Sequence, residues 1–216
     1  MMRCSFDDDT YLTYCKNTAW HIDNGLAEPY TGNKEFIKDY VKKTGRNKTY
    51  IDVGTHIGTH SVVFSRIFQN VISFEPDKIN FETLNTNILL NSRKNITSYN
   101  KALSNISEYV HSVAHSDHSR GCMFIQKGGD IEAILLDSLK LENIDYIKID
   151  VEGNELSVLL GALDTIKRNL PLIEFEHNGL SDKLFNVSFN DIEIFLTGLG
   201  YKCINKIDNN YFFEYK

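Results

Sequence analysis

The chain has 216 residues, of which 42% are hydrophobic and 24% are charged, a composition typical of one globular domain. Its formal net charge of -6 disfavours binding to the phosphate backbone of nucleic acids. No apolar run is long enough to span a bilayer, the acidic N-terminus does not resemble a signal peptide and the four cysteines are scattered, so we expect a cytoplasmic protein with reduced thiols and no membrane span.

The N-terminal part of the chain is predicted to be an irregular segment that leads into one helix. Apolar residues recur at helical spacing over residues 34–43, with lysines at most of the remaining positions. We therefore expect residues 1–48 to form an N-terminal segment and a helix that pack on a core domain of residues 49–216.

Residues 49–216 alternate between strand-like and helix-like patterns. Short β-rich runs predict parallel strands over residues 49–53, 71–74, 96–102, 146–151 and 172–177. Helical patterns lie between some of them, at residues 62–68, 79–90 and 155–163. The second helix is expected to turn Ile79, Leu84, Ile88 and Leu89 toward the core. Such alternation is typical of a parallel sheet with helices on both faces.

Two further segments complete the predicted fold. Residues 105–130 contain two strand-like pieces joined by a polar stretch, which indicates an inserted hairpin or lid. After a helical pattern over residues 192–199, strand-like runs at residues 201–204 and 211–215 flank a turn-like Asp-Asn-Asn sequence. We therefore predict an α/β fold with a mostly parallel seven-stranded central sheet and a C-terminal antiparallel hairpin.

A glycine-containing loop follows the first strand of the core domain. Its sequence, DVGTHIG over residues 52–58, lacks the GxGxxG spacing of dinucleotide-binding loops. Glycine lets the backbone approach a ligand closely, and the start of the next helix offers unpaired N–H groups to a carboxylate. The loop is therefore expected to hold a nucleoside-containing ligand without a pyrophosphate.

An acidic residue ends the second predicted strand of the core domain. Glu75 lies about 20 residues beyond the glycine loop, the spacing at which a carboxylate accepts hydrogen bonds from both hydroxyls of a ribose. The alternative is that Glu75 only caps the next helix, but Asp77 is better suited to that role. The pattern therefore predicts that Glu75 binds a ribose.

Charged residues occupy alternate positions near the end of the fourth predicted strand. Lys148, Asp150 and Glu152 share one face, and apolar residues lie between them. Because an unpaired charge is costly inside a sheet that is covered on both sides, Lys148 is expected to pair with Glu174 or Glu176 on the neighbouring strand. Asp150 and Glu152 are expected to reach the open end of the sheet. A purely structural ion-pair cluster is the alternative.

Four blocks of sequence together resemble the FkbM-type methyltransferases, a family of S-adenosylmethionine-dependent O-methyltransferases. The blocks are IDVGTHIG (residues 51–58), FEPD (74–77), IKIDVEGNE (147–155) and PLIEFE (171–176). The resemblance implies a Rossmann-like class I methyltransferase fold and an enzyme that methylates hydroxyls of sugars, glycolipids or polyketides. His56 departs from the family pattern, in which asparagine is commoner at this position.

The resemblance also implies S-adenosylmethionine as the cofactor. Gly54 and Gly58 are expected to hold its methionine part, Asp52 to accept hydrogen bonds from its ammonium group, and Asn80 and residues 101–103 to lie near its adenine. The full set of expected cofactor-binding residues is Asp52, Gly54, His56, Gly58, Thr59, His60, Glu75, Pro76, Asn80, Ala102, Leu103 and Asp150.

Methyl transfer to a hydroxyl is an in-line displacement in which positioning provides much of the acceleration. Because an alcohol is a very weak acid, a nearby base is useful. Asp150 is the first candidate for this base and His177 the second, although a purely structural histidine is equally compatible with the sequence. Glu152 is expected to orient the substrate or the adjacent helix, and Lys148 to pair with the acidic groups.

Metal binding is the less favoured alternative at the same strand ends. Asp150, Glu152, Glu176 and His177 are suitable ligands for Mg²⁺, but carboxylates paired with Lys148 are less available to a cation. We therefore expect no metal. The pair His56 and His60 lacks the glutamate of a zinc-protease motif.

The inserted segment and the N-terminal segment are expected to contact the acceptor, a small molecule or a glycan. Residues suited to a polyhydroxylated acceptor are Ser116, Asp117, Ser119 and Arg120, with Trp20 or Tyr30 stacking on a sugar face or only covering the core. A zinc site in the insertion is disfavoured, because His111, His115, His118 and Cys122 match no common ligand spacing.

The leading hypothesis is therefore an S-adenosylmethionine-dependent O-methyltransferase that acts on a carbohydrate or a natural product. One rival is a nucleoside-binding module that lacks catalysis and serves a complex. A second rival is a nicotinamide-dependent dehydrogenase, which would bind NAD. The sequence makes no prediction about the oligomeric state.

Overall fold

The computed structural model describes residues 2–7, 10–14, 33–114 and 123–216. The strands are β1 (Met2–Asp7), β2 (Thr10–Tyr14), β3 (Thr49–Val53), β4 (Asn70–Phe74), β5 (Ile96–Tyr99), β6 (Ala102–Leu103), β7 (Glu108–Ala114), β8 (Met123–Lys127), β9 (Ile131–Ile134), β10 (Ile144–Ile149), β11 (Leu172–Glu176), β12 (Tyr201–Ile207) and β13 (Asn210–Tyr215). The helices are α1 (Lys34–Thr44), α2 (Thr59–Phe64), α3 (Lys78–Leu90), α4 (Glu155–Leu160), α5 (Leu163–Asn169), α6 (Leu180–Phe185) and α7 (Phe189–Gly198), with a 3₁₀ turn at Leu136–Leu139.

A seven-stranded sheet forms the centre of the fold. Its order is β12-β13-β11-β10-β3-β4-β5. The five strands from β11 to β5 are mutually parallel, and β13 pairs antiparallel with both β11 and β12. The predicted α/β fold, with a mostly parallel sheet and a C-terminal antiparallel hairpin, is therefore confirmed.

The two faces of the sheet carry separate hydrophobic clusters. Tyr50 of β3 and Tyr146 of β10 face helices α1 and α2, and their rings stack with centroids 4.9 Å apart. The next residues along these strands, Ile51 and Ile147, point to the opposite face, where they join the core formed with α4, α5 and α7. This alternation follows from the two-residue period of a strand, and it covers both faces with helices.

The third predicted strand, residues 96–102, is divided between two sheets. β5 ends at Tyr99, and the Asn100 amide donates to the backbone carbonyls of Glu75 and Pro76, both at 2.9 Å. The chain then turns into β6, which belongs to a four-stranded sheet of order β6-β9-β7-β8. The predicted inserted hairpin is present as β7 and β8, and the sequence reasoning missed β9.

Helix α3 buries a different set of residues from the predicted one. Leu84 is fully buried, but Ile79 is 39% exposed and Leu89 is 78% exposed. The buried side also carries Asn87, whose amide bonds the backbone carbonyl of Ile57 at 2.8 Å and both backbone groups of Thr13 in β2. A satisfied polar side chain thus takes a position that hydrophobic periodicity assigns to apolar residues.

Two further expectations about local structure are corrected. The N-terminal segment, expected to be irregular, contains the antiparallel hairpin β1–β2. The helix expected over residues 155–163 is two short helices, which are separated near Gly161. A Cβ atom at Gly161 would lie 2.0 Å from the carbonyl oxygen of Ser104, so the chain at this break packs against the start of the insertion.

None of the helices in the described ranges has the length and apolar character that a membrane crossing requires.

Candidate functional site

A cavity opens at the carboxyl ends of β3, β4 and β10, and strands β6 and β8 close its far side. This is the edge at which open α/β sheets bind their ligands. Its polar and charged lining residues are His56, Glu75, Asn80, Lys101, Asp150, Glu152 and Asn154. The remaining lining residues are Val53, Gly54, Phe74, Pro76, Ala102, Leu103, Met123, Ile125 and Val151.

The loop after β3 is held tightly against the neighbouring strands. The backbone N–H of Gly54 donates to the carbonyl oxygen of Phe74 at 3.0 Å, and the N–H of Asp150 donates to that of Val53 at 2.9 Å. Gly54 has a φ of 77°, and a Cβ atom at this position would lie 1.8 Å from the carbonyl oxygen of Asp150. Only glycine therefore combines this backbone conformation with this approach to β10.

Asp52 lies beneath the loop and not at the cavity wall. Its side chain has no solvent exposure, and one of its carboxylate oxygens accepts hydrogen bonds from Thr55 Oγ1 at 2.8 Å and Ser61 Oγ at 2.5 Å. These contacts fix the start of the loop to helix α2. The arrangement favours a supporting role for Asp52 over direct contact with a ligand.

Glu75 is a buried carboxylate at the cavity wall. Its Oε2 accepts the backbone N–H of His56 at 2.8 Å and its Oε1 accepts that of Asp77 at 2.9 Å. Burial raises the pKa of Glu75 to about 8, although these two donors act in the opposite direction. Asp77 caps α3 by accepting the N–H groups of Ile79 and Asn80, both at 3.0 Å, so the prediction that Asp77 is the cap is confirmed.

The wall opposite the glycine loop is mainly apolar. Ala102 and Leu103 come from β6, and Met123 and Ile125 from β8. Lys101 also lines the cavity, and its ammonium group is paired with the carboxylate of Glu132. An apolar wall beside a buried carboxylate suits a flat heterocycle attached to a ribose.

Three carboxylates meet at the ends of β10 and β11. Asp150, Glu152 and Glu176 each place an oxygen within 4.8 Å of the others, and the Asn178 amide donates to Glu152 at 3.1 Å and to Glu176 at 3.2 Å. The negative charge of Asp150, together with burial, raises the pKa of Glu176 to about 9. Glu176 is therefore protonated near neutral pH. The expectation that no metal binds here stays a prediction.

Lys148 has a different partner from the predicted ones. Its Nζ atom lies 2.7 Å from Oδ2 of Asp150, two residues along the same strand. Glu174, which is level with Lys148 on β11, instead accepts hydrogen bonds from the Asn33 amide and the Tyr146 hydroxyl. The prediction that Lys148 pairs with an acid is confirmed, but the partner is Asp150 and neither Glu174, which other groups already satisfy, nor Glu176.

The ion pair determines the protonation state of Asp150. Burial raises the pKa of Asp150, but the Lys148 ammonium outweighs this effect and holds it below its ordinary value. In turn, the carboxylates of Asp150 and Asp52 overcome the effect of burial on Lys148 and raise its pKa. Asp150 is thus ionised, while the neighbouring carboxyl group of Glu176 is protonated.

His177 lies outside the set of residues that line the cavity. Its Nδ1 is 3.2 Å from the hydroxyl of Ser181, its Nε2 is 3.3 Å from the carboxylate of Asp182, and its ring packs on Phe189. These contacts place the imidazole against α6 and α7. The geometry therefore favours Asp150 over His177 as the base.

Three other residues from the predicted cofactor set also lie outside the cavity lining. Gly58 and Thr59 form the start of α2, and a Cβ atom at Gly58 would lie 2.4 Å from the side chain of Leu84. The ring of His60 packs on Phe64 with centroids 5.8 Å apart. Burial lowers the pKa of His60 to about 4, so this imidazole is neutral at physiological pH.

The cavity also contains residues that the sequence reasoning did not assign to the site. Three of them, Val53, Phe74 and Val151, lie at strand ends. The other three are Met123, Ile125 and Asn154. The period-two pattern of β8 places Met123 and Ile125 on one face, but nothing local indicates which face meets the cofactor loop. The expected acceptor contacts Trp20, Tyr30, Ser116, Asp117, Ser119 and Arg120, and also His115, His118 and Cys122, lie outside the described residues.

Solved structures with similar folds include several methyltransferases. A putative caffeoyl-CoA O-methyltransferase from Staphylococcus aureus is 14% identical, with a TM-score of 0.58 over 91% of this chain and 89% of that one. The methyltransferase FkbM from Methylobacillus flagellatus KT is 20% identical, with a TM-score of 0.56 over 79% of this chain and 44% of that one. At these identities the similarity shows an α/β methyltransferase fold.

Sequence similarity is more specific than the similarity of folds. The chain is 28% identical over 160 residues to the hexuronic acid methyltransferase AglP of Haloferax volcanii, an alignment that covers 70% of this chain and 65% of that relative. The chain thus spans less than two thirds of the length of AglP. The family described as methyltransferase FkbM domain matches residues 52–203, from the aspartate below the glycine loop to strand β12. Because this match covers most of the chain, and includes β4, β5, β10 and β11 of the central sheet in full, the protein belongs to the FkbM methyltransferase family.

Proposed function

We propose that the protein is an S-adenosylmethionine-dependent O-methyltransferase whose acceptor is a hydroxyl of a carbohydrate or a related natural product. The observation that carries the proposal is a single cavity that contains both Glu75, suited to a ribose, and Asp150, an ionised carboxylate suited to a hydroxyl proton. A cytoplasmic location stays a prediction.

The residues of the cavity fit the cofactor. Glu75 presents a buried carboxylate to a ribose diol, and Ala102, Leu103, Met123 and Ile125 form an apolar wall for an adenine ring. The loop at Gly54 brings backbone close to the end of β10, beside Asp150. When bound, S-adenosylmethionine supplies a methyl group on a sulfonium, which is reactive toward an oxygen nucleophile.

Asp150 accepts the proton that the acceptor hydroxyl loses as its oxygen takes the methyl group. Its low pKa keeps it ionised near neutral pH, although it also makes Asp150 a modest base. Most of the acceleration is then expected to come from the alignment of the hydroxyl. Glu152 and the protonated Glu176 lie beside Asp150 and provide further hydrogen-bonding groups for the acceptor.

The carbohydrate part of the proposal has two supports. AglP, a relative by sequence, is described as a hexuronic acid methyltransferase, although this chain covers 65% of it. In addition, several carboxyl and amide groups converge at the end of the cavity, as expected for a polyhydroxylated acceptor.

Cofactor binding is the first test. S-adenosylhomocysteine should raise the melting temperature of the protein, and NAD should not, because the loop lacks the glycine spacing that admits a pyrophosphate. A shift with NAD alone would favour the dehydrogenase alternative and contradict the proposal.

The second test is Asp150→Asn with a matched control, Asp39→Asn, on the exposed side of α1. Asp150→Asn should lower methyl transfer from labelled S-adenosylmethionine by at least about 100-fold, the usual contribution of a general base, and retain the melting shift with S-adenosylhomocysteine. Asp39→Asn should behave as wild type. Full activity of Asp150→Asn would refute the assignment of the base.

Wild-type protein that binds S-adenosylhomocysteine but methylates no hydroxyl in a broad sugar panel would instead indicate a module without catalysis.

A further inference from the structure

The N-terminal hairpin β1–β2 docks on the helices that support the glycine loop of residues 52–58. Strand β2 packs against α2 and α3, and its residue Leu12 is fully buried. Among the described strands, β1 and β2 pair only with each other, in a two-stranded sheet separate from the central one. The hairpin is therefore attached to the described part of the fold through packing and side-chain contacts, and not through strand pairing.

Asn87 of α3 bonds the outer edge of β2 much as a neighbouring strand would. Its Oδ1 accepts the backbone N–H of Thr13 at 2.6 Å and the Thr13 hydroxyl at 2.9 Å, and its Nδ2 donates to the Thr13 carbonyl at 3.1 Å. The same Nδ2 donates to the backbone carbonyl of Ile57 in the glycine loop at 2.8 Å. An amide side chain has two N–H bonds and two lone pairs, so Asn87 uses all four, three of them with Thr13.

The contacts with Thr13 strengthen the bond from Asn87 to Ile57. Asn87 is fully buried, and three bonds to the hairpin fix its rotamer before the fourth bond forms. Without Thr13, the single bond to Ile57 would have to offset the loss of rotamer freedom alone. An amide that lost three partners would also turn toward water. The glycine loop is therefore held more firmly when the hairpin is docked.

The glycine loop depends on such support because its backbone is strained at His56. The φ of His56 is 54°, a left-handed conformation that a residue with a Cβ atom retains only where surrounding contacts enforce it. The N–H of His56 donates to Oε2 of Glu75 at 2.8 Å, and the carbonyl of the next residue, Ile57, is held by Asn87. His56 and Glu75 both line the cavity. A displacement of Ile57 would therefore reach the carboxylate that is suited to the ribose.

We infer that the N-terminal hairpin is part of the cofactor site, with Thr13 and Asn87 as positioning residues through which hairpin docking and cofactor binding strengthen each other. The inference rests on the proposed function, because it takes S-adenosylmethionine or its demethylated product as the ligand of the cavity. Coupling between two binding events is reciprocal. The docked hairpin therefore raises the affinity for the cofactor by the same factor by which the cofactor favours docking.

The first test replaces the backbone N–H of Thr13. Because Thr13 turns its N–H and carbonyl toward Asn87, it occupies a non-hydrogen-bonded position opposite Arg3 in the hairpin, so Thr13→Pro removes two bonds to Asn87 and no bond to β1. Calorimetry well below the melting temperature should show S-adenosylhomocysteine binding to Thr13→Pro at least about fivefold more weakly than to wild type.

Two further variants are the controls for Thr13→Pro. Thr13→Ser retains the hydroxyl and the N–H, so it should bind S-adenosylhomocysteine as wild type does. Ser5→Pro alters β1 at a position of the same kind, because the pair Ser5–Tyr11 lies two residues along the ladder from Arg3–Thr13. The N–H that it removes points away from β2 and from Asn87, so its affinity should also equal that of wild type.

The second test uses the wild-type protein and needs no variant to fold. Saturating S-adenosylhomocysteine should slow the hydrogen exchange of the Thr13 amide, followed by nuclear magnetic resonance, at least about fivefold, because the ligand favours the docked hairpin. An exchange rate that the ligand leaves unchanged would overturn the inference.

The remaining outcomes separate a positioning role from a structural one and from the proposed function. A Thr13→Pro protein that melts earlier but retains the wild-type affinity would show that Thr13 only stabilises the fold, and would overturn the inference. An equal loss of affinity in Ser5→Pro or Thr13→Ser would do the same, because those variants retain the contacts with Asn87. Wild-type protein that does not bind S-adenosylhomocysteine would contradict the proposed function itself and the inference with it.

Discussion

Glu75 is the residue whose environment most constrains ligand binding. Both of its oxygens already accept a backbone N–H, and both retain lone pairs for the two hydroxyls of a ribose. Burial nevertheless makes the ionised form costly, and the pKa of about 8 means that the free protein carries a largely protonated Glu75 at neutral pH. A ligand that donates hydrogen bonds to the carboxylate must therefore displace a proton below pH 8.

This competition predicts that the affinity for a ribose-containing ligand depends on pH. Adenosine is a suitable probe, because it has no group that titrates between pH 6 and 9. Its affinity should rise with pH up to about 8 and then remain constant, since the ionised Glu75 is the form that accepts both hydroxyls. Calorimetric titrations at several pH values check this. Glu75→Gln should bind adenosine weakly and without this pH dependence. A wild-type affinity that is constant or falls across this range would exclude the ribose role.

At the same scale, Lys148 determines which of two neighbouring carboxyl groups is ionised. Its ammonium lies 2.7 Å from Asp150 and stabilises the ionised form of that residue. The negative charge of Asp150 in turn raises the pKa of Glu176. The two acids therefore titrate far apart, one below its ordinary pKa and one near 9. This separation leaves one ionised and one protonated carboxyl group on two chemically similar side chains.

At the scale of elements, the loop between β3 and α2 depends on the end of β10. Gly54 packs on the backbone of Asp150, and Asp52 ties the loop to α2 through Ser61. Asn87 of α3 bonds the carbonyl of Ile57 in the same loop. Three elements thus determine the position of a loop whose own sequence includes two glycines.

Two glycines with similar backbone angles allow this dependence to be measured. Gly54 and Gly45 have φ values of 77° and 72°, but a Cβ atom at Gly45 has open space around it. Gly45→Ala should therefore lower the free energy of unfolding by about 1 to 2 kcal/mol, the cost of the left-handed conformation alone. Gly54→Ala should lower it by clearly more and abolish the melting shift with S-adenosylhomocysteine, because β3 and β10 must separate at the cavity. Equal destabilisation in urea titrations would show that the close approach to Asp150 is unimportant.

At the scale of the whole molecule, two buried acids outside the cavity lining affect stability, Glu174 in β11 and Glu155 at the start of α4. Glu174 is fully buried and is bonded by the Asn33 amide and the Tyr146 hydroxyl. Burial raises the pKa of Glu174 to about 8 and that of Glu155 to about 7. Because these pKa values are higher in the folded protein than in the unfolded chain, folding favours the protonated forms. Their contribution to stability is present at low pH and is lost as the pH rises through these values.

The protein should therefore become less stable between pH 6 and 9. Glu174 alone is expected to account for about 2 kcal/mol of this loss, from the size of its pKa shift. Glu174→Gln retains the shape of the side chain and leaves an amide oxygen for Asn33, so its thermal melts should depend less on pH. Glu142→Gln, at an exposed position, should retain the wild-type dependence. A Glu174→Gln profile parallel to that of wild type would show that Glu174 does not titrate in this range.

The sequence by itself determined at which strand ends the residues of the site lie. The Asp77 cap and the turn before β13 are local patterns, and both appear where they were predicted. The strand predicted over residues 146–151 is instead Ile144–Ile149, so Asp150 and Glu152 follow the strand and do not continue its alternation. The FkbM blocks likewise lie at strand ends, and this placed Glu75 and Asp150 at one edge of a parallel sheet. Local patterns suffice here because backbone periodicity and capping depend on residues only a few positions apart.

The tertiary structure alone decided which of these groups meet. Lys148 pairs with Asp150 because Asn33, which is distant in sequence, and Tyr146 of the same strand β10 already satisfy Glu174. Likewise, β6 and β9 bring the insertion across the cavity, so that it adds Met123 and Ile125 to the wall. Contacts of this kind depend on strand register and on competition between partners far apart in the chain, and no short stretch of sequence contains that information.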